Sequence, residues 1–260
     1  MNTIIEVKDL RREYVTYKGS IRKTKEVVEA VRGIDFTVNQ GEIFGLLGQN
    51  GAGKTTTIKM LTTLLAPTSG TCKVFGYDTF GQEKQIRKRI NFIFGGELGV
   101  YRRLSARDNL RYFANLYLLD TTERERRIDG ILELVELTDA ADRLAETYSK
   151  GMIQRLQIAR GLINDPEIIF MDEPTVGLDP LGAHMLRDII RKLQNEGKTV
   201  LLTTHYLPET EELCNRMVIL NHGEIVARGT PAEIKGSAST LEEAYIRLIK
   251  ESANKKSSPK

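Results

Sequence analysis

Gly48-Gln49-Asn50-Gly51-Ala52-Gly53-Lys54-Thr55 is the stretch on which the reading of this chain turns. It follows the short apolar run Ile43 to Leu47, which stops abruptly at Gly48, and it opens a pattern that predicts a helix over Thr55 to Leu65. Glycines between a strand and a helix let backbone N–H groups close on phosphate oxygens at the positive end of a helix dipole. The spacing G-x-x-x-x-G-K-[ST] adds Lys54 for the β- and γ-phosphates and the Thr55 hydroxyl for Mg²⁺. A glycine-rich turn that merely caps a helix is the plain alternative, and the apolar strand directly before Gly48 argues against it.

Working outward, Pro67, Ser69 and Gly70 close the first helix, and a strand is predicted near Cys72 to Phe75. Ile4 to Val7 and Ile34 to Val38 are β-rich runs upstream. From about Gln82 to Leu162 the apolar period becomes helical, as in Leu110, Phe113, Ala114 and Tyr117, then Ile128, Ile131, Leu132 and Val135. That stretch is expected to be an inserted helical subdomain. Strands return at Ile168 to Met171 and Val200 to Thr204, on either side of a helix carrying Leu186, Ile189, Ile190 and Leu193 and ended by Gly197. Alternating strands and helices imply an α/β fold with a mainly parallel sheet. After Gly236, residues 236–260 predict a helix with Leu241, Ala244, Tyr245 and Leu248 on one face, then a disordered Lys/Ser tail.

Ile168-Ile169-Phe170-Met171-Asp172-Glu173 carries the second piece of chemistry. A buried parallel strand ends at the ligand-binding edge of its sheet, so both carboxylates are expected there. Asp172 suits a Mg²⁺ shell, and Glu173 suits polarising a water that attacks the γ-phosphate. A solvated strand end is the bland reading of Asp-Glu taken alone.

Composition limits the remaining choices. With 40% hydrophobic residues the chain can bury a substantial core, and 38 basic against 35 acidic side chains leave a net charge of +3, too slight to argue for nucleic acid. Cys72, Cys214 and the histidines (His184, His205, His222) show no metal-ligand spacing, which points to a reduced, cytoplasmic protein without structural zinc. No window approaches the ~18 apolar residues a membrane span needs, and no secretory leader is read at the start.

Tyr148-Ser149-Lys150-Gly151-Met152, after the helical region and before Asp172, resembles the signature of ATP-binding cassettes. Asp179, in Val176-Gly177-Leu178-Asp179, is similar to that family's D-loop aspartate, and His205 to its switch histidine. The resemblance covers nearly the whole chain. It implies a cassette domain over 1–235 with a phosphate-loop core, an N-terminal antiparallel β region and a helical subdomain at about 82–162. Nucleotide contacts are implied at Gly48, Asn50, Gly51, Gly53, Lys54, Thr55 and Thr56, Mg²⁺ contacts at Thr55 and Asp172, and catalytic roles at Glu173 and His205. Ser149 and Gly151 open a helix whose dipole can face a γ-phosphate on another protomer. Tyr14 stands where cassettes carry a ring that stacks on adenine, with Tyr17 a neighbouring candidate and a half-buried sheet tyrosine the plain alternative.

Three departures accompany the resemblance. Tyr148, Lys150 and Met152 replace the first, third and fifth residues of the usual Leu-Ser-Gly-Gly-Gln, and similar sequences occur among exporter-type cassettes. Aligning Ile90 to Phe94 with the family strand puts Gly95 at the Q-loop glutamine, with Glu97 the nearest acid. A basic stretch with Lys18, Arg22, Lys23 and Lys25 extends the segment between Tyr14 and Ala30; a solvated hairpin is the expected form, and contact with lipid headgroups or a membrane subunit the sharper one.

The resemblance implies ATP hydrolysis with Mg²⁺, pairing with a second cassette as a homo- or heterodimer, and docking on integral membrane permease subunits at the cytoplasmic face of the membrane. The style of the chain is similar to exporters of the type-2 permease group, which handle drugs, peptides, polysaccharides or lipids. Nucleic acid is not expected as a partner. Two other readings stay open: a non-transport cassette acting on ribosomes or DNA, and a catalytically weak regulatory cassette, which Gly95 favours and Lys54, Asp172, Glu173 and His205 oppose.

Overall fold

The computed structural model describes residues 2–18, 24–94 and 99–257. Gly95 and Glu97 of the Q-loop expectation, Arg22 and Lys23 of the basic stretch, the side chain of Lys18 and residues 258–260 of the tail lie outside the described residues. The chain divides into two units, Met1–Arg87 with Leu201–Lys260, and Lys88–Val200.

In the first unit, β1 (Thr3–Lys18) pairs antiparallel with β2 (Thr24–Asn39). On the far side of β1, β4 (Ser69–Val74) and β5 (Tyr77–Asp78) complete a sheet of order β2-β1-β4-β5. A second sheet is built on β3 (Ile43–Leu47), every residue of which is buried, as an unbroken apolar run demands. β9 (Arg216–Asn221) lies parallel to β3, and β10 (Glu224–Gly229) antiparallel to β9. β8 (Thr199–Thr204), whose last four residues belong to this unit, flanks β3 on its other side.

The helix after the glycine loop, α1 (Lys54–Leu61), stops short of the predicted Leu65. The Thr62 hydroxyl donates to the Ile58 carbonyl, and Thr63 takes a left-handed φ of 64°, which ends the helical run before Pro67. Short helices α2 (Glu83–Arg87), α7 (Leu207–Leu213) and α8 (Pro231–Lys235) follow, the last opened by a reciprocal Thr230/Glu233 capping box. In α9 (Leu241–Ser257), Leu241 enters a buried cluster with Leu47, Met217, Ile219 and Ile234, and Tyr245, Leu248 and Ile249 pack against that cluster. The helix continues to Ser257, past this apolar face and into the stretch where the sequence predicts a disordered tail. Cys72 and Cys214 are free and buried; burial pushes the Cys72 thiol up to about 12 and raises that of Cys214 as well.

In the second unit, β6 (Ile90–Ile93) and β7 (Ile168–Asp172) pair in parallel from Ile90↔Ile168 to Ile93↔Met171. Its helices are α3 (Ala106–Leu116), α4 (Thr121–Leu134), α5 (Lys150–Leu162) and α6 (Pro180–Asn195). Ser105 and Asp120 cap the first two, and the predicted apolar positions Leu110, Ala114, Ile128, Ile131 and Leu132 are buried. Gly161 lets α5 approach β6 closely, since a Cβ there would stand 2.7 Å from Ile93 Cγ1.

Candidate nucleotide site

The loop between β3 and α1 is shaped by backbone contacts that only glycine permits. A Cβ on Gly48 would lie 2.5 Å from the Leu220 carbonyl oxygen, and one on Gly53, at φ 107°, would lie 2.6 Å from that of Ala30. Gly53 caps α1 without any side-chain hydrogen bond, and the first turn contains no acid, so this N-terminus keeps its positive dipole for an anion. Lys54 is buried, with its ammonium turned into the loop to donate to the Gly48 carbonyl at 2.6 Å. Thr55 is exposed and Thr56 half-buried; Asn50 and Gly51 are exposed at the outer turn.

Three segments of the same unit hold this loop. Gly48 N–H donates to the carbonyl of Thr204 at 3.4 Å, so His205, the exposed next residue, begins beside the loop. Gly223 N–H donates to Ala52 at 3.0 Å while Arg32 N–H donates to Gly223 at 2.8 Å. Sequence reading misses Gly223. The available signal is Asn221-His222-Gly223-Glu224 between two apolar runs, and the left-handed φ of His222 (47°) and Gly223 (81°) gives the tight hairpin turn that such a sequence favours. Tyr14 pairs with Val28 on β2, two residues before the Ala30 carbonyl that meets Gly53. The Arg12 guanidinium covers one face of the Tyr14 ring, 4.9 Å from its centroid.

The second unit carries the carboxylates and the signature. Asp172 ends β7, half-buried, and Glu173 follows at φ 49°, a left-handed conformation that costs a glutamate roughly 1–2 kcal/mol. Ser149 caps α5, its hydroxyl accepting from Met152 N–H at 3.3 Å, and Tyr148 is anchored by an O–H bond to the Ala140 carbonyl at 2.5 Å. Asp179 caps α6, accepting from Gly182 N–H at 2.6 Å with Pro180 in the first turn. A groove of about 340 Å³ brings Ser149 and Gly151 together with Asp179, and Lys150 and Arg155 add positive charge to its lining.

The sequence profile of the ABC transporter family matches residues 31–176. The chain belongs to this family. It is the ATP-binding subunit of a transporter, and it is similar to curated cassettes over most of its length. The ABC transporter ATP-binding protein NatA of Bacillus subtilis is 40% identical over 87% of this chain and 92% of its own. The daunorubicin/doxorubicin resistance ATP-binding protein DrrA of Streptomyces peucetius is 42% identical over 80% of this chain and 63% of its own. Among solved structures, an ATP-binding subunit of an ABC transporter is 31% identical, with a TM-score of 0.77 over 94% of this cassette and 99% of that chain. A dimeric cassette, MJ0796 bound to ADP and Pi in a post-hydrolysis state, is 26% identical, with a TM-score of 0.75 over 87% and 98%.

Proposed function

We propose that this cassette binds ATP with Mg²⁺ and hydrolyses it to ADP and phosphate to drive export, paired with a second cassette and docked on membrane permease subunits at the cytoplasmic face. The observation that carries the reading is the glycine cradle of Gly48 and Gly53 at an uncapped helix start, with Lys54 buried inside it. Three kinds of donor then face one anion: loop N–H groups, the first N–H groups of α1, and an ammonium. Export is supported by relatives named for it, among them a fluoroquinolones export ATP-binding protein of Mycobacterium tuberculosis, 44% identical over 86% of this chain and 73% of its own.

Thr55 offers a hydroxyl and Asp172 a carboxylate oxygen to Mg²⁺, which when bound neutralises phosphate charge. Among the described residues no cluster of three or more His, Cys, Asp or Glu could hold a metal, which fits an ion completed by phosphate and water rather than a protein cage. Tyr14 offers the ring face that Arg12 does not cover to adenine. Glu173 accepts a proton from the attacking water, and His205 hydrogen-bonds the γ-phosphate. Ser149, Gly151 and Asp179 serve the partner's nucleotide from the groove they line. Dimerisation is supported by the dimeric cassette to which this chain is similar.

The deciding experiment separates binding from chemistry. Glu173→Gln is expected to retain ATP, favour a closed dimer and lower turnover at least about a hundredfold; turnover close to wild type would remove Glu173 from the chemistry. Lys54→Ala is expected to weaken nucleotide binding itself.

A further inference from the structure

Arg12 and Tyr14 are two residues apart on β1, so their side chains leave the same face of the strand. The Arg12 guanidinium lies over the Tyr14 ring, 4.9 Å from its centroid, and both residues are half-buried. Among the described residues no carboxylate pairs with Arg12, and its buried Nε makes no hydrogen bond. The ring face therefore takes part of the role that an acid usually has, and a cation–π contact gains strength as it is withdrawn from water.

The hydrogen bond that this guanidinium does make ties it to the segment leaving the nucleotide loop's own helix. Nη1 donates to the carbonyl of Ala66, after the end of α1, at 3.0 Å. Thr68 N–H donates to the Arg11 carbonyl at 2.9 Å and Glu13 N–H to the Thr68 hydroxyl at 3.0 Å, so residues 66–68 are stitched to β1 on both sides of Arg12. Tyr14 is thus referred to the phosphate loop along two routes. One runs through β2 to Ala30, whose carbonyl oxygen meets Gly53; the other runs through Arg12 to the exit of the helix that Lys54 opens.

A ring held from behind is ordered before a base arrives, which removes the cost of immobilising it on binding. A cation on the rear face also draws π density from the front, which favours stacking on an electron-rich purine.

We propose that Arg12 is a positioning residue for the nucleobase: it fixes the Tyr14 ring relative to the phosphate loop, so that affinity for ATP draws on a stack of adenine, tyrosine and guanidinium. The inference rests on the reading of Tyr14 as the adenine-stacking residue, and Tyr14→Ala separates failure of the one from failure of the other.

The test titrates the full chain calorimetrically with ATP and with inorganic tripolyphosphate, which carries phosphates and no base, both with Mg²⁺. Arg12→Gln keeps a donor for the Ala66 carbonyl and removes the cation. It is expected to weaken ATP binding about three- to tenfold, and tripolyphosphate binding by less than about twofold. The KM for ATP should rise by the same factor, while kcat at saturating ATP changes by less than about twofold. Tyr14→Ala is expected to weaken ATP binding at least about fivefold, and Arg12→Gln on that background to add nothing further. Wild-type ATP affinity in Arg12→Gln, an equal loss for tripolyphosphate, or additive losses in the double variant would each overturn the role of Arg12 and leave Tyr14 against the base. Unchanged ATP affinity in Tyr14→Ala would overturn the stacking reading, and the role of Arg12 with it.

Discussion

Arg160, near the end of the helix that Ser149 caps, donates from Nη1 to the carbonyl of Gly99 at 3.0 Å and lies over the Phe113 ring, 5.2 Å from its centroid. Burial pulls its pKa down from the ordinary arginine value, an effect that the neighbouring Tyr117 and Tyr101 partly offset. Gly99 has φ 90°, and a Cβ there would fall 1.7 Å from Nη1. Signature helix and loop are thereby locked together within the second unit.

Gly99→Ala is therefore expected to destabilise the cassette by about 1–3 kcal/mol, lowering the urea midpoint without changing the m-value. In an Arg160→Ala background part of that cost should disappear, since the steric component needs the guanidinium and only the φ component remains. Strict additivity in this double-mutant cycle would show that Arg160 does not impose the glycine.

Ser149→Arg is expected to abolish dimer turnover while leaving ATP binding by the single cassette intact, because the groove it shares with Asp179 would be filled. Mixing Ser149→Arg with Lys54→Ala subunits should place both lesions in one composite site and leave the other whole. Nucleotide occlusion at one site per mixed dimer is the expected stoichiometry; none at all would argue that Ser149 acts on its own subunit's nucleotide.

Glu173 carries a conformational penalty at φ 49° that asparagine tolerates far better. Glu173→Asn should raise stability by up to about 1 kcal/mol while removing ATPase activity. Thermal melts and turnover measured on the same preparation would show the opposite signs; a less stable, inactive variant would mean that the glutamate's contacts outweigh its strain.

Arg89 and Glu167 join the starts of β6 and β7 through two hydrogen bonds of 2.5 and 2.8 Å, and the Arg89 guanidinium holds the carboxyl below its usual range. A depressed folded pKa contributes stability that is present above the unfolded value, about 4.3, and lost as pH falls through the folded one. Arg89→Ala should cost at most about 1 kcal/mol at neutral pH, both groups being substantially exposed. The difference from wild type should shrink as denaturation is repeated below about pH 4.

The phosphate loop was legible because its causes are local: an apolar five-residue strand, glycines at fixed spacing, and a lysine at the helix start. The same holds for Ser149 and Asp179, whose side chains cap the helices they open. The solvated hairpin between Tyr14 and Ala30 was expected, but the full length of its two strands was not legible. Beyond Val7 the alternation in Arg11, Arg12, Glu13 and Thr16 has no buried face to announce it, so strand signals faded while cross-strand pairing continued to Lys18. The clasp of Gly223 on Ala52 was hidden for another reason, since it joins residues far apart in sequence through backbone atoms, which carry no residue-specific pattern. No residue type marks the left-handed backbone at Glu173, which is set by the turn in which Val176 N–H donates to its carbonyl.

Cys72 and Cys214 are buried and burial favours their thiol forms, so the folded cassette is expected to resist maleimides and iodoacetamides at neutral pH. A single cysteine placed at an exposed position such as Val27 or Lys150 would then react alone, with both native sulfurs left in place. Spin labels, fluorophores and crosslinkers can thus report on hairpin, groove and dimer in the wild-type core, without the repacking that a cysteine-free background would impose.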